Sequence, residues 1–537
     1  MKKQTVKRKW AKIAAVVASV ALACCMLGAC TSSSDSSSAS AGSAQGEKVL
    51  RIAFPSTLTT LDVTDGDGAT MLKEVGGVIE TLVNVDSDFQ LQPALATSWQ
   101  RDDANTWTIQ LRQGVKFHDG TDFNADAVKW CFDRSLAENP SFASYTHIQS
   151  TEVVDAYTVK IVTSVASGEL PEALTNVSTA VIAPSSVDST GKFVKPVGTG
   201  YFQFESFDAA TGTFDGVVFD GYWGGKQDSS ITKRHVVSMS DANTRSMAVL
   251  NNEIDIATDI PFSDLKTMKD SKDVEVKQFD TARTYFYTFN TNKSYLSDVT
   301  VRKALLQSLN LDEIVNNGLM GVGSVPNGAF MDDVPWNKPN VTKYPYDVEA
   351  AKKALDEAGF VDADGDGFRE YNGEKVKLII TTGSRRPGNP IIAQATNGFF
   401  TQIGIDSEVQ VLAGSAMNEA LTSGAWDLNL SSAATCYIPS ASYYLTQYYE
   451  SGSTNMKRAG FVDSALDAAI AECTDLTAGD AKNEASKKAQ VLAADDAVVY
   501  TVANYGAVFG LNPKITGFSY SAAVHDFIVP YTTDIAD

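Results

Sequence analysis

The chain has 537 residues, with 44 Lys+Arg against 65 Asp+Glu and a formal net charge of −21. So acidic a protein is a poor partner for nucleic acid or an anionic membrane surface. Its length exceeds the roughly 250–300 residues at which single cores stop growing, so two or three domains are expected.

The N-terminus carries six positive charges within residues 1–12 (Lys2, Lys3, Lys7, Arg8, Lys9, Lys12) and no acid. An apolar run from Ile13 to Leu27 follows, broken only by Ser19, and ends in Leu27-Gly28-Ala29-Cys30. A basic start, a short apolar stretch and small residues before a cleavage point describe a secretory signal over residues 1–29. The run falls short of the about 20 apolar residues that span a bilayer. Cys30 directly after Gly28-Ala29 resembles a bacterial lipobox, in which the thiol takes a diacylglycerol. Residues 30–47 contain TSSSDSSSASAGSAQG, which has nothing to bury and reads as a flexible tether. Loss of the signal leaves 38 basic against 65 acidic side chains, a net charge of −27. The expected location is the outer face of the cytoplasmic membrane, with a lipid anchor.

Cys131, Cys436 and Cys473 remain in the body, at no metal or redox spacing. Small buried hydrophobes are the expected reading, with a Cys436–Cys473 bridge as the alternative in an oxidising compartment.

In chain order, VLRIAF (49–54), TWTIQL (106–111) and Val153 to Val162 around a turn at Asp155-Ala156 read as strands. Asn124 is positioned to cap a helix from Ala125 to about Leu136, with Val128, Phe132 and Leu136 on one face. Asp298 precedes a helix whose Val301, Ala304, Leu305 and Leu309 share a face, and Asp347 caps AAKKALDEA, which stops at Gly359. Strands and helices interleave, so the class is α/β or mixed α+β.

The segment from Leu91 resembles the signature of the family-five extracellular solute-binding proteins, which serve peptide, dipeptide and nickel-complex importers. Its marks are Pro93-Ala94-Leu95-Ala96, Ser98-Trp99, Trp107, Leu111-Arg112, Val115-Lys116-Phe117 and Asp119-Gly120. Pro196 to Gly200, Tyr222-Trp223, Glu253-Ile254-Asp255, Phe289-Asn290, Val301 to Leu305, Tyr346-Asp347 and Asp364 to Gly367 follow in the family's order. The residues themselves read as scaffold: alternating strands, and glycines where a turn or a close backbone approach is needed. The resemblance implies a two-lobed, periplasmic-binding-protein-like clam shell. Lobe one would comprise residues 48–280 and 504–537, with a subdomain inserted at about 90–195; lobe two would be residues 281–503. It also implies a monomer without cofactor that captures a small polar ligand near Arg283 to Asn290 and delivers it to an ABC permease and its ATPase subunits. Short peptides are the expected ligand, a nickel or other metal chelate the alternative, and a signalling receptor the alternative of another class.

Both charge-reading devices that the resemblance implies are altered. The Asp that pairs with a peptide ammonium in many members falls at Cys436. The nickel-type subgroup's cleft Arg falls within Val177 to Ala180, where none stands, and its His falls at Ser440. The remaining lining candidates are Met71, Phe142, Tyr285, Tyr287, Thr435, Cys436 and Tyr437, an apolar and hydroxylic set of the kind small-molecule pockets use. Core packing is the competing role for each. The doublets Tyr443-Tyr444 and Tyr448-Tyr449 are expected to pack rather than bind.

An enzyme is not expected: the four His (118, 147, 235, 525) form no His-Glu-x-x-His, and nucleophile-elbow, Walker and dinucleotide motifs are absent from the sequence. Asp362, Asp364 and Asp366, with Glu370 in the ninth place, resemble half a calcium loop. Gly373 stands where the bidentate Glu belongs, so a polar turn is the favoured reading.

Overall fold

The computed structural model describes residues 47–537 apart from 342, 525 and 526. The signal, the lipidation candidate Cys30 and nearly all of the tether lie outside the described residues. No helix among the described residues is long and apolar enough to cross a membrane.

The fold is mixed α/β and two-lobed, and a ten-stranded sheet runs through both lobes. From one edge its strands are Asp406–Val411, Lys377–Thr382, Leu428–Ala434, Glu275–Phe289 and Val499–Leu511. Beyond these come Ile256–Thr258, Val49–Phe54, Lys233–Ser238, Thr213–Val218 and Phe202–Asp208. A separate four-stranded antiparallel sheet holds Ala96–Arg101, Thr106–Leu111, Thr158–Thr163 and Ile148–Asp155, in that spatial order. Its TWTIQL strand alternates as its sequence dictates: Trp107, Ile109 and Leu111 are buried and Gln110 is exposed.

The two long strands Glu275–Phe289 and Val499–Leu511, expected from the sequence to cross between the lobes, lie side by side in the middle of this sheet. They pair antiparallel, but the register breaks between Asp280 and Thr284. On one side Glu275 to Asp280 pair with Leu511 to Gly506; on the other Thr284 onward pairs with Asn504 to Val499, with a further shift after Tyr285, while Arg283 to Phe289 pair with Ala434 to Leu428. Such a bulge bends a strand and leaves residues free of the ladder. Thr281, Ala282 and Arg283 occupy it.

The capping readings hold. Asn124 Oδ1 accepts from Ala127 N at the start of Ala125–Glu138. Asp298 caps Val299–Gln307, and Asp347 caps Val348–Glu357. Each side-chain oxygen satisfies a backbone N–H that the first helical turn leaves without a partner.

The sequence blocks behave as scaffold. Glu80 is buried and accepts from Thr199 Oγ1 at 2.7 Å, Trp223 Nε1 at 2.7 Å and Tyr222 OH at 3.0 Å, with the Arg112 guanidinium 4.5 Å over the Trp223 ring. Asp255 takes Arg51 with both oxygens, at 2.9 and 2.7 Å. Arg302 is buried, donating to the carbonyls of Leu296, Ser297 and Asp496. Gly198 and Gly200 lie against the backbone of Gly77 and Val78; a Cβ on either would come within 2.0 or 2.2 Å of a carbonyl oxygen there.

Candidate functional site

The break in the crossover strands opens onto a small cavity. Its wall includes Thr281, Ala282 and Arg283 from the bulge, Thr258 at the end of a short strand, Asp259 just beyond it, and Arg386. Tyr520 and Phe527 from the C-terminal segment complete it on one side.

The polar groups converge for local reasons. Asp259 follows Ile256–Thr258 with φ of 53°, a left-handed conformation that Asp tolerates better than most residues. Arg245, nearly fully buried, holds this turn by donating to Thr258 O at 2.8 Å and Asp259 O at 3.0 Å. The Asp259 carboxylate is thereby aimed at the cavity. One oxygen accepts from Arg386 Nη1 at 2.5 Å, the other from the Tyr505 hydroxyl. Burial, then the adjacent Asp259 carboxylate, pushes the Tyr505 phenol far above its ordinary range, so it remains a donor. Arg386 stands just before helix Gly388–Gln402, and its guanidinium lies 5.7 Å from the Tyr505 ring centroid. Arg283 faces the same ring at 6.0 Å. Two guanidinium groups and one carboxylate thus meet in a small enclosed space, where charge-assisted hydrogen bonds are strong. Gly388 makes room: a Cβ there would lie 2.4 Å from the Tyr285 hydroxyl.

None of the seven candidate lining residues is in this cavity's wall. Tyr285 stands behind it, its ring 5.2 Å from Tyr505. Thr435 is fully buried and donates to Ala282 O, fixing the bulge, with Cys436 beside it. Tyr437 packs edge-on to Tyr145, 5.4 Å away. Tyr287 donates to Thr396 in the core, Phe142 packs on Phe132, and Met71 is buried near Gly76. The wall residues that sequence reasoning missed are Asp259 and Arg386. Two adjacent arginines, Arg385-Arg386, immediately before Pro387 and a helix start were the available signal; Asp259 offered none.

Tyr443, Tyr444 and Tyr449 belong to the buried cluster around Trp426 and Leu466. Cys436 and Cys473 are both free thiols, as is Cys131, and all three are buried. Burial pushes Cys131 up to about 11 and the other two up to about 12, so none is poised as a thiolate. Carboxylate oxygens of Asp362, Asp364 and Glu370 gather within 4.8 Å, but Asp366 is not in that group. Lys375 Nζ supplies a cation, 2.5 Å from Asp366 and 2.9 Å from Asp364, while Asp362 and Glu370 accept backbone N–H groups of their own loop.

Two lobes joined by crossover strands, with a charged cavity at the junction, define a two-lobed binding protein. The profile described as "Bacterial extracellular solute-binding proteins, family 5 Middle" matches residues 90–455. The chain belongs to this family, whose members bind solutes and are not enzymes. It is 32% identical over 325 residues to the glutathione-binding protein GsiB of Salmonella typhi, covering 59% of this chain and 62% of that one. The alignment thus spans less than two thirds of the relative's length. Among solved structures, NikA from Brucella suis in complex with Fe(III)-EDTA is similar with a TM-score of 0.80 and 23% identity, over 90% of this chain and 99% of the other. The oligopeptide-binding protein AppA from Bacillus subtilis, in complex with a nonapeptide, gives 0.76 and 19%, over 91% and 99%. These likenesses concern the fold.

Proposed function

We propose that this chain is the ligand-capturing subunit of an ABC importer and that its ligand is a short peptide with an exposed carboxylate, held in the cavity at the strand crossover. The observation that carries this reading is the meeting of Arg283, Arg386 and Asp259 around one small cavity at the strand crossover. A carboxylate takes the guanidinium groups, and an amide or ammonium takes Asp259. The GsiB relative, a glutathione-binding protein by name, supports a short acidic peptide.

On this reading the lobes divide at the register break, residues 48–280 and 504–537 against 281–503, with about 90–195 inserted in the first. Ligand touches both lobes only when they close, so it shifts the equilibrium by its differential affinity; a near-complete shift needs roughly 5 kcal/mol. The permease, with its ATPase subunits, receives the closed form. Cys30 carries the lipid, residues 30–47 are the leash, and the protein acts as a monomer at the outer face of the membrane. Mass spectrometry of ligand retained by the purified protein, with titration calorimetry against glutathione and nickel–histidine, tests the reading. Retained peptide and glutathione binding are expected. A recovered metal chelate without peptide overturns it.

A further inference from the structure

A second cavity lies beneath a long irregular segment. Between Gly318 and Val348 the described residues form neither helix nor strand. Loops of that length inside a compact body are uncommon, and most that are ordered serve a function. This one is strapped down. Asn504 N donates to Ser324 O at 2.9 Å, Lys338 N to Gln490 Oε1 at 2.9 Å, Gln490 Nε2 to Trp336 O at 2.7 Å and Tyr344 OH to Ala494 O at 2.8 Å. Between the loop, helix Asp480–Asp496 and the start of strand Val499–Leu511 lies a space of about 50 Å³.

Ala329, Leu445, Ala493 and Val499 give its wall an apolar face. Two polar groups interrupt that face. Thr501 is more than nine-tenths buried, and its Oγ1 has no hydrogen-bond partner although the Tyr449 phenol lies beside it. A buried hydroxyl left alone is costly, and a guest atom that pairs with it recovers that cost. Lys343, at the exposed rim, donates from Nζ to Asn327 Oδ1 at 2.8 Å and has no carboxylate partner among the described residues. Lys352 and Lys353, on the helix that follows, are both ion-paired.

We propose that this cavity is a second binding site, for a short-chain hydroxycarboxylate: Lys343 takes the carboxylate, the apolar wall takes the chain, and Thr501 takes the hydroxyl. Volume sets the length. An apolar cavity of about 150 Å³ takes up benzene, so a space a third as large has room for a chain of about three carbons and none for a ring. Charge sets the sign: an ammonium at the mouth attracts an anion and repels an amine. The lone hydroxyl sets the substituent, since a plain alkyl carboxylate leaves Thr501 without a partner. The site stands on this cavity alone and is independent of the guest assigned to the strand crossover.

The test is saturation-transfer NMR and titration calorimetry of the purified protein with 3-hydroxybutyrate, butyrate and butylamine. Saturable binding of 3-hydroxybutyrate is expected, with butyrate several-fold weaker and no binding of butylamine. K343Q, on the exposed rim where the fold does not depend on it, should weaken 3-hydroxybutyrate roughly fivefold, the worth of a partly exposed ion pair. T501V keeps the shape of the side chain without its hydroxyl. It should bring 3-hydroxybutyrate down to the level of butyrate, leave butyrate unchanged and leave the melting temperature no lower than the parent's. Absence of saturable 3-hydroxybutyrate binding, equal affinity of K343Q and the parent, or a T501V variant that still prefers 3-hydroxybutyrate overturns the site. Each of these results leaves the crossover assignment standing, and a failure of glutathione to bind leaves this site standing.

Discussion

Arg386 and Asp259 are 127 positions apart in the chain yet lie 2.5 Å apart, guanidinium to carboxylate, at the wall of a cavity that borders the strand crossover. Both side chains are more than nine-tenths buried. On the proposed reading, this pair is where a guest's charged groups compete.

Replacing Arg386 by Met should therefore weaken glutathione binding at least tenfold, since a hydrogen bond to a charged group is worth about 1.5–3 kcal/mol. Calorimetry measures it. D259N should lose less affinity for a carboxylate and more for an ammonium. Equal affinity of R386M and the parent would remove Arg386 from the site.

Gly198 is the second place to look. Its hypothetical Cβ lies 2.0 Å from Val78 O, a backbone atom that has nowhere to go. Gly198→Ala should destabilise the lobe by about 1–3 kcal/mol or more, the usual cost of overpacking, read as a lower melting temperature with ligand affinity unchanged in the folded fraction. An unchanged melting temperature would show that the segments slide apart freely.

A pH dependence of stability follows from His118. Its ring is half-buried, with Nε2 3.0 Å from Gly200 O and Nδ1 accepting from Gly198 N at 3.3 Å. Burial pushes it down to about 4, against the Gly200 hydrogen bond and Asp119, which favour the charged ring. The folded form thus resists a proton that the unfolded chain takes up near its ordinary value. The neutral ring's contribution is intact above about pH 6.5 and is lost progressively down to about pH 4, roughly 3 kcal/mol in all. Denaturant melts between those limits measure the loss, and H118F should flatten the curve. A His118 proton resonance titrating near its ordinary value would refute it.

Much of the fold was legible because its signals are local. A cap such as Asn124 and an alternation such as TWTIQL are set by neighbours a few residues away, and the structure follows them. The family blocks were equally readable, although their role is in the frame: Glu80, never singled out, is what Thr199, Tyr222 and Trp223 gather around. The site was far less legible. Asp259 and Arg386 are separated by more than a hundred positions, and what makes them partners is a left-handed turn held by Arg245 on one side and a helix start on the other. Aromatic and hydroxylic residues near the crossover, such as Tyr287 and Thr435, read from sequence like pocket linings. In the structure they fasten the wall from behind, and nothing in a linear pattern separates the front of a wall from its back.

The stretch Thr281-Ala282-Arg283 is both the place where the ladder between the crossover strands is interrupted and a face of the chamber. A pivot built into the chamber cannot turn without reshaping it. On the proposed reading the guest sits on the axle, so its bulk would set how far the jaws swing, and a difference of one side chain there would be magnified into a wide displacement at the outer rims, where a docking partner would feel it.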